Sequence, residues 1–300
     1  MYRFGENVKR QRLKMEMTQE ELCALGDELS VRQLARIESG ESIPTLHKIQ
    51  FIASQLKVSI DDLVEATACV LPSRYQELKY LLLRTQTYCD STRMLDREAY
   101  LDEIYTDYYE QLPEEEQLVI DCLQSKIDVH LSENINFGIT ILNDYFDQLL
   151  LKKQYTINDL ILIELYFICI STDQFSKRLY HEEAYHLLMA NIFSQVDKLP
   201  IENLYILNNV LLNNFGVTLQ LGYQRHIEAI LTTSQLIMTK IQDFQKMPIL
   251  KMLQWKYYLD YHNNHSKAEK AYQEALSFSD LIDDLYLKEK IQKEWLKDNT

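Results

Sequence analysis

Two arginines and a glutamine within one short stretch have the chemistry to read the edges of base pairs. In S-V-R-Q-L-A-R-I-E-S-G, residues 30–40, Leu34 and Ile37 stand three apart and turn inward on a helix with Val31 nearby, which leaves Arg32, Gln33 and Arg36 on the outer side. Arg32 and Arg36 are one turn apart. Arginine presents a bidentate donor pair to guanine O6 and N7, and glutamine matches adenine N6 and N7, so this face suits a DNA major groove. Gln19, in the first turn of the preceding helix, can hold a phosphate with its side chain and the helix N-terminus. Lys48 adds a contact that carries no sequence information, as do Lys9 and Lys14. With Ser30 at the start of the reading helix, the candidate DNA-binding set is Gln19, Ser30, Arg32, Gln33, Arg36 and Lys48. The plainer alternative for any one lysine is a solvated surface charge.

A second group is acidic. Glu114, Glu115 and Glu116 follow Pro113 at a helix start, where the helix dipole favours carboxylates. One hypothesis is that this patch pairs with Arg32 or Arg36 and hides the reading face until a ligand releases it; the alternative is that it serves only its own helix. A third group is polar and neutral. In I-L-N-N-V-L-L-N-N-F, Asn209 and Asn213 share a face one turn apart, with Asn208 adjoining, and an asparagine offers the donor and acceptor that a peptide backbone requires. Tyr166, His186, Asn191 and Tyr205 are further candidates for the same groove, with hydrogen bonds between helices as the competing role.

Catalytic patterns are absent from the sequence. The histidines of His181 to His186 are five apart, about 140° around a helix, so they are not the i, i+4 pair of a zinc protease. His262 and His265 lack cysteine partners. There is no G-x-S-x-G, Walker A or G-x-G-x-x-G. Cys23, Cys69, Cys89, Cys122 and Cys169 are odd in number and contain no C-x-x-C. The sequence therefore points to no enzyme, no metal and no cofactor.

The elements that carry these residues are helical. Among 300 residues there are only 6 Gly and 5 Pro against 20 Tyr, too few turn residues for a protein rich in sheet. In the first sixty residues, caps place five short helices: one over about Arg3 to Met15, then starts at Thr18 with Glu21, Ser30 with Gln33, Thr45 after Pro44, and Ser59 with Asp62. Gly26 to Leu29 makes the tight turn between the second and third. That is helix-turn-helix spacing. Beyond it, breaks at Leu112-Pro113, Leu199-Pro200 and Met247-Pro248 and the cap at Thr156 divide the chain into eleven helices, at roughly 73–84, 93–111, 114–131, 134–153, 157–170, 174–195, 201–220, 222–243, 248–262, 266–278 and 281–297. Ala268, Tyr272 and Ala275 have the small-aromatic-small spacing of a second tetratricopeptide helix. The fold class is all-α, with domains at 1–66 (helix-turn-helix), 67–72 (linker) and 73–300 (a TPR-like α-solenoid for peptide binding and dimerisation).

Charge follows the same division. The net charge is −14, but residues 1–60 hold 9 Lys and Arg against 8 Asp and Glu, which leaves 22 against 37 in the rest. Only the first fifth is electrostatically suited to nucleic acid. No run of 18 apolar residues and no apolar signal region occurs, which places the protein in the cytoplasm with no membrane partner.

The pattern R-x-R-L-K-x-x-x-x-T-Q-E-E-L, the S-V-R-Q-L-A-R-I-E-S-G helix, and the closing V-S-I-D-D-L resemble the XRE-type helix-turn-helix of phage-repressor-like regulators over about residues 3–65. Cys23 and G-D-E-L-S replace that family's usual Ala and Gly-Val-Ser turn. The resemblance implies a structural ion pair between Arg12 and Glu38. Joined to an acidic helical repeat domain, the reader resembles the Rgg regulators of the RNPP group, and S-V-R-Q-L-A-R-I-E-S-G-E-S-I-P with L-P-E-E-E looks most like the ComR-type competence regulators. That resemblance implies a cytoplasmic quorum-sensing receptor. A short imported signalling peptide would bind the TPR-like domain and switch a homodimer's hold on double-stranded promoter DNA, with RNA polymerase as a further partner. Two alternatives stay open: a phage-like or plasmid regulator controlled by a protein partner, and a repeat scaffold whose helix-turn-helix no longer binds.

Overall fold

The computed structural model describes residues 2–60, 63, 71–88 and 90–299, and over them it is all-helical. The chain divides into two compact units, Met1–Gln86 with Thr92–Lys153, and Thr87–Ser91 with Gln154–Thr300. The division by compactness thus differs from the division by sequence character: the helix-turn-helix shares its unit with the next four helices.

In the first unit α1 (Tyr2–Lys14), α2 (Gln19–Cys23), α3 (Val31–Ser39) and α4 (Leu46–Leu56) enclose a core of Phe4, Val8, Leu22, Leu29, Leu34, Ile37, Ile49, Ile52 and Leu56. Thr18 and Ser30 each form the complete capping box expected from Glu21 and Gln33, and Thr45 caps α4 through the Lys48 amide. Helices α1 and α3 approach so closely that a Cβ on Gly5 would lie 2.0 Å from the Ile37 carbonyl oxygen. Gly40, left-handed at φ 79°, ends α3. The fifth short helix expected from Ser59 and Asp62 lies largely outside the described residues, as do Cys69, Cys89 and most of the 67–72 linker. The unit is completed by α5 (Ser73–Arg84), α6 (Ser91–Asp107), α7 (Glu114–Ser132) and α8 (Asn136–Leu151).

The second unit carries α9 (Ile157–Thr172), α10 (Glu182–Ser194), α11 (Leu204–Gln220), α12 (Gln224–Ile241), α13 (Met247–Asp260), α14 (His265–Leu281) and α15 (Leu285–Asp298). Helices α9 and α11 are buried almost all round, as their lack of a polar stripe requires, and they form the centre. At the far end Ala268, Ala271 and Ala275 let α14 close on Trp255 of α13, and Tyr272 stacks on Trp295 of α15 with ring centroids 4.5 Å apart. Helix α10 begins eight residues later than its sequence pattern predicts, because Gln174 and Phe175 both adopt positive φ and break the chain there. Among the described residues no helix is long and apolar enough to cross a membrane.

Candidate nucleic-acid interface

The reading helix α3 is held from inside by one ion pair. Arg12 of α1 donates from Nε to Glu38 Oε1 at 2.7 Å, from Nη2 to Oε2 at 2.9 Å, and from Nη1 to the Met17 carbonyl at 2.8 Å. Gln19 Nε2 adds a fourth donor, 2.9 Å from Glu38 Oε2. Gln19 is thus bonded to the ion pair, and not directed outward as a phosphate ligand. These hydrogen bonds raise the Arg12 guanidinium further above its ordinary value, against the opposing effect of burial. Cys23, where the related pattern has Ala, packs in the same core, and burial pushes its thiol up to about 11, so it stays neutral.

On the outer side, the structure corrects the position of Gln33. It is only 5% exposed, and its side-chain oxygen accepts from the Ser30 amide at 3.1 Å, so both residues are spent on capping α3. Capping wins because a glutamine three residues after a serine cap reaches back to the orphan N–H. Arg32 and Arg36 do project from α3, and each meets a carboxylate from the later helices of the same unit. Arg36 Nη1 lies 3.0 Å from Glu114 Oε1, and Arg32 Nη1 pairs with Asp144 Oδ1 of α8.

The three consecutive glutamates do not act as one patch. Successive residues on a helix point about 100° apart, so Glu114, Glu115 and Glu116 fan out to three separate pairs of partners. Glu114 takes Arg36 and the Tyr145 hydroxyl at 2.7 Å on the same oxygen, while its Oε2 is buried with no hydrogen-bond partner. Glu115 meets Lys48 Nζ at 3.0 Å and accepts from Thr45 Oγ1 at 2.8 Å. Burial pushes the Glu115 carboxyl up, but Lys48 and Thr45 outweigh it and hold it below the ordinary value. Lys48, expected as an exposed phosphate contact, is therefore buried in this pair. Glu116 turns away from the reading face altogether, to the Tyr75 hydroxyl and Lys79 Nζ, both at 2.6 Å. Two backbone-level contacts seat α7 and α8 on the reader: Glu114 N donates to Ile43 O at 3.1 Å, and Gln148 Nε2 to Asp27 O at 3.1 Å. Asp144, Tyr145 and Gln148 had no signal in the sequence. They sit on an ordinary amphipathic helix, and only the tertiary arrangement singles them out.

In the second unit the candidate groove residues separate by burial. Tyr166, Asn208 and Asn209 lie in the interior instead of on an open face, because α9 and α11 are its central helices. Asn213 is exposed and donates to the buried Glu164 at 3.0 Å. Asn191 reaches the Tyr155 hydroxyl at 3.3 Å, Tyr205 is half-buried, and His186 faces His226. Asn214 is fully buried among Tyr185, Met189 and Thr218. Hydrogen bonding between helices, the competing role for these asparagines, is thus what Asn214 does.

The ComR tetratricopeptide model matches residues 72–295, and a helix-turn-helix model matches residues 8–63. The chain is similar to the crystal structure of ComR from Streptococcus suis, at 36% identity and a TM-score of 0.84, covering 99% of this chain and 95% of that one. It is also similar to the apo form of ComR from S. thermophilus, at 26% identity and a TM-score of 0.83 over 99% and 100% of the two chains. Against ComR from S. thermophilus in complex with DNA and its signalling peptide ComS, the identity is 27% and the TM-score 0.68 over the same shares. No curated protein matches. With most of its length matched by the ComR model and the helix-turn-helix ahead of it, the chain belongs to the ComR-type regulators of the Rgg and RNPP group, a family of transcription regulators and not of enzymes.

Proposed function

We propose that the protein is a cytoplasmic, peptide-responsive transcription regulator: residues 1–66 bind promoter DNA, and residues 73–300 bind a short imported signalling peptide. The relative from S. thermophilus is known in complex with DNA and a signalling peptide, and that supports the same two ligands here. The higher score against the peptide-free relative supports reading this structure as the peptide-free form.

The observation that carries the mechanism is that both arginines able to read bases are occupied by carboxylates of α7 and α8. A guanidinium paired with a carboxylate cannot also make its bidentate contact to guanine. Glu114 and Asp144 thus cover the reading face, and Glu115 holds the start of α4 beside it. Peptide binding in the repeat domain favours a form in which these pairs part, and two copies then engage two half-sites on DNA. Promoter-bound dimers recruit RNA polymerase. Within the peptide site, Asn213, Asn191, His186 and Tyr205 are the accessible candidates, with Asn208, Asn209 and Tyr166 supporting them from behind. An acidic, tyrosine-rich domain suits a small apolar or aromatic peptide whose terminal amine meets a carboxylate.

Gel shift and light scattering with promoter DNA from beside the gene and short hydrophobic peptides encoded nearby test this reading. A peptide that changes DNA affinity and oligomeric state together is the expected result. DNA binding that no peptide alters would assign the repeat domain to a protein partner instead. Arg32→Ala and Arg36→Ala should each weaken promoter binding by about 1–3 kcal/mol, the worth of a bidentate base contact.

A further inference from the structure

Two histidines from different helices of the second unit meet ring to ring. His186 Nδ1 on α10 lies 2.9 Å from His226 Nε2 on α12, a hydrogen-bond distance between ring nitrogens. An N–H···N bond needs one nitrogen with a proton and one without. It forms when both rings are neutral and when one is charged. It cannot form when both are imidazolium, because two N–H groups and two positive charges then face each other. Packing holds the rings in place: the Tyr223 ring is 4.6 Å from His186 and 5.9 Å from His226, Tyr185 lies edge-on to both, and Phe193 packs on His226.

Charged and uncharged groups from four helices surround the pair. On α10, Glu182 Oε1 lies 3.6 Å from His186 Nε2. Ahead of α10, the Tyr180 hydroxyl bonds that of Tyr223 at 2.9 Å, and Tyr223 donates to Glu182 at 2.9 Å. On α12, Arg225 and Glu228 flank His226; Glu228 accepts from Tyr257 of α13 and feels His262. From α11 the cluster meets only the uncharged Thr218 and Asn214, through the Tyr185 hydroxyl at 2.8 and 3.1 Å. Charging both rings requires a proton on His226, whose pKa is lowered by burial and then by the charge on His186.

We propose that the His186 and His226 pair is an acid-responsive joint between α10 and α12, closed with no proton or one proton to share and opened when both rings are charged. The sign follows from linkage: a histidine with a lowered folded value contributes stability that is complete above the ordinary histidine range and is lost as pH falls through it. Because Tyr185 bonds to Thr218 and Asn214, opening the joint disturbs α11 as well. The joint is built from contacts of the helical domain alone, and His186 is also among the candidates of the peptide site proposed above.

Imidazole ¹⁵N spectroscopy of the full-length protein between pH 8 and 5 tests it. The expected result is a scalar coupling across the N–H···N bond at neutral pH, two separated titration steps shared by the pair, and loss of the coupling through the lower step. In His226→Gln, whose amide keeps a hydrogen-bond partner but does not titrate, the two-step behaviour of the pair should be lost. Amide exchange in α10 and α12, corrected for its intrinsic pH dependence, should then rise in acid in the parent and not in this variant. Both rings titrating together in one step in the parent, or acid-induced exchange undiminished in His226→Gln, would overturn the proposal.

Discussion

The helix-turn-helix uses arginine and glutamate in two ways, and the inside and the outside of the same domain can be compared directly. Inside, Arg12 and Glu38 are 8% and 4% exposed and share two hydrogen bonds, with Met17 and Gln19 satisfying their remaining atoms. Outside, Arg36 and Glu114 are 35% and 10% exposed and share one contact, and Arg32 and Asp144 are 59% and 32% exposed. A buried, fully bonded pair is costly to break because each charge would be left without water or partner. A half-exposed single contact exchanges readily for water or phosphate. The unpartnered Glu114 Oε2 weakens the cover further, since the carboxylate is desolvated without full compensation. The same residue types therefore make a permanent clasp in one place and a releasable cover in the other.

The clasp should give the largest effect. Glu38→Ala strands a buried guanidinium and is expected to cost about 3–5 kcal/mol in chemical denaturation of the full chain. If the loss were below about 1 kcal/mol, the clasp would be no different in kind from a surface pair, and the comparison would fail. A similar loss in stability, about 3 kcal/mol, is expected for Glu116→Ala, which removes the carboxylate that meets Lys79 and Tyr75 in a site almost as buried. This variant separates position from function: Glu116 adjoins Glu115 in sequence but does not touch the reading face, so stability should fall with no selective gain in DNA binding.

Glu114→Ala sharpens the contrast from the other side. Arg36 is exposed enough to take up water, so stability should change by less than about 1 kcal/mol, while peptide-free affinity for promoter DNA in gel shift rises about tenfold, within the usual range of coupling between sites. An unchanged need for peptide in this variant would remove Glu114 from the mechanism.

The two regions also differ in how far they could be read from the sequence. Apart from the start of α10, the eleven later helices were legible because prolines, caps and apolar spacing are local signals, and the capping boxes at Thr18, Ser30 and Thr156 follow directly from residue type. The outward position of Arg32 and Arg36 was legible for the same reason. Gln33 was misplaced because one side chain had two competing uses, base reading and capping, and spacing alone does not rank them. The run of three glutamates looked like one patch because neighbours in sequence suggest neighbours in space, whereas the helix sends them to Arg36, Lys48 and Lys79. Asp144 was invisible: nothing in N-D-Y-F-D distinguishes it until α8 is laid beside α3.

Asp144 gives the smallest effect and the finest test of the cover. Its pair with Arg32 is the most exposed of the set, and such pairs are worth about 0.2–1 kcal/mol. Asp144→Asn keeps the shape and removes the charge, so it should raise peptide-free DNA affinity by only about two- to fivefold, with thermal stability unchanged. Salt distinguishes this from a packing effect. Screening acts on exposed charges within about 10 Å at 0.1 M, so the advantage of Asp144→Asn over the parent should shrink as salt rises, apart from the loss of DNA affinity that both share. An advantage that persisted undiminished would mean that Asp144 acts by shape, and that the cover over Arg32 is steric where the one over Arg36 is electrostatic.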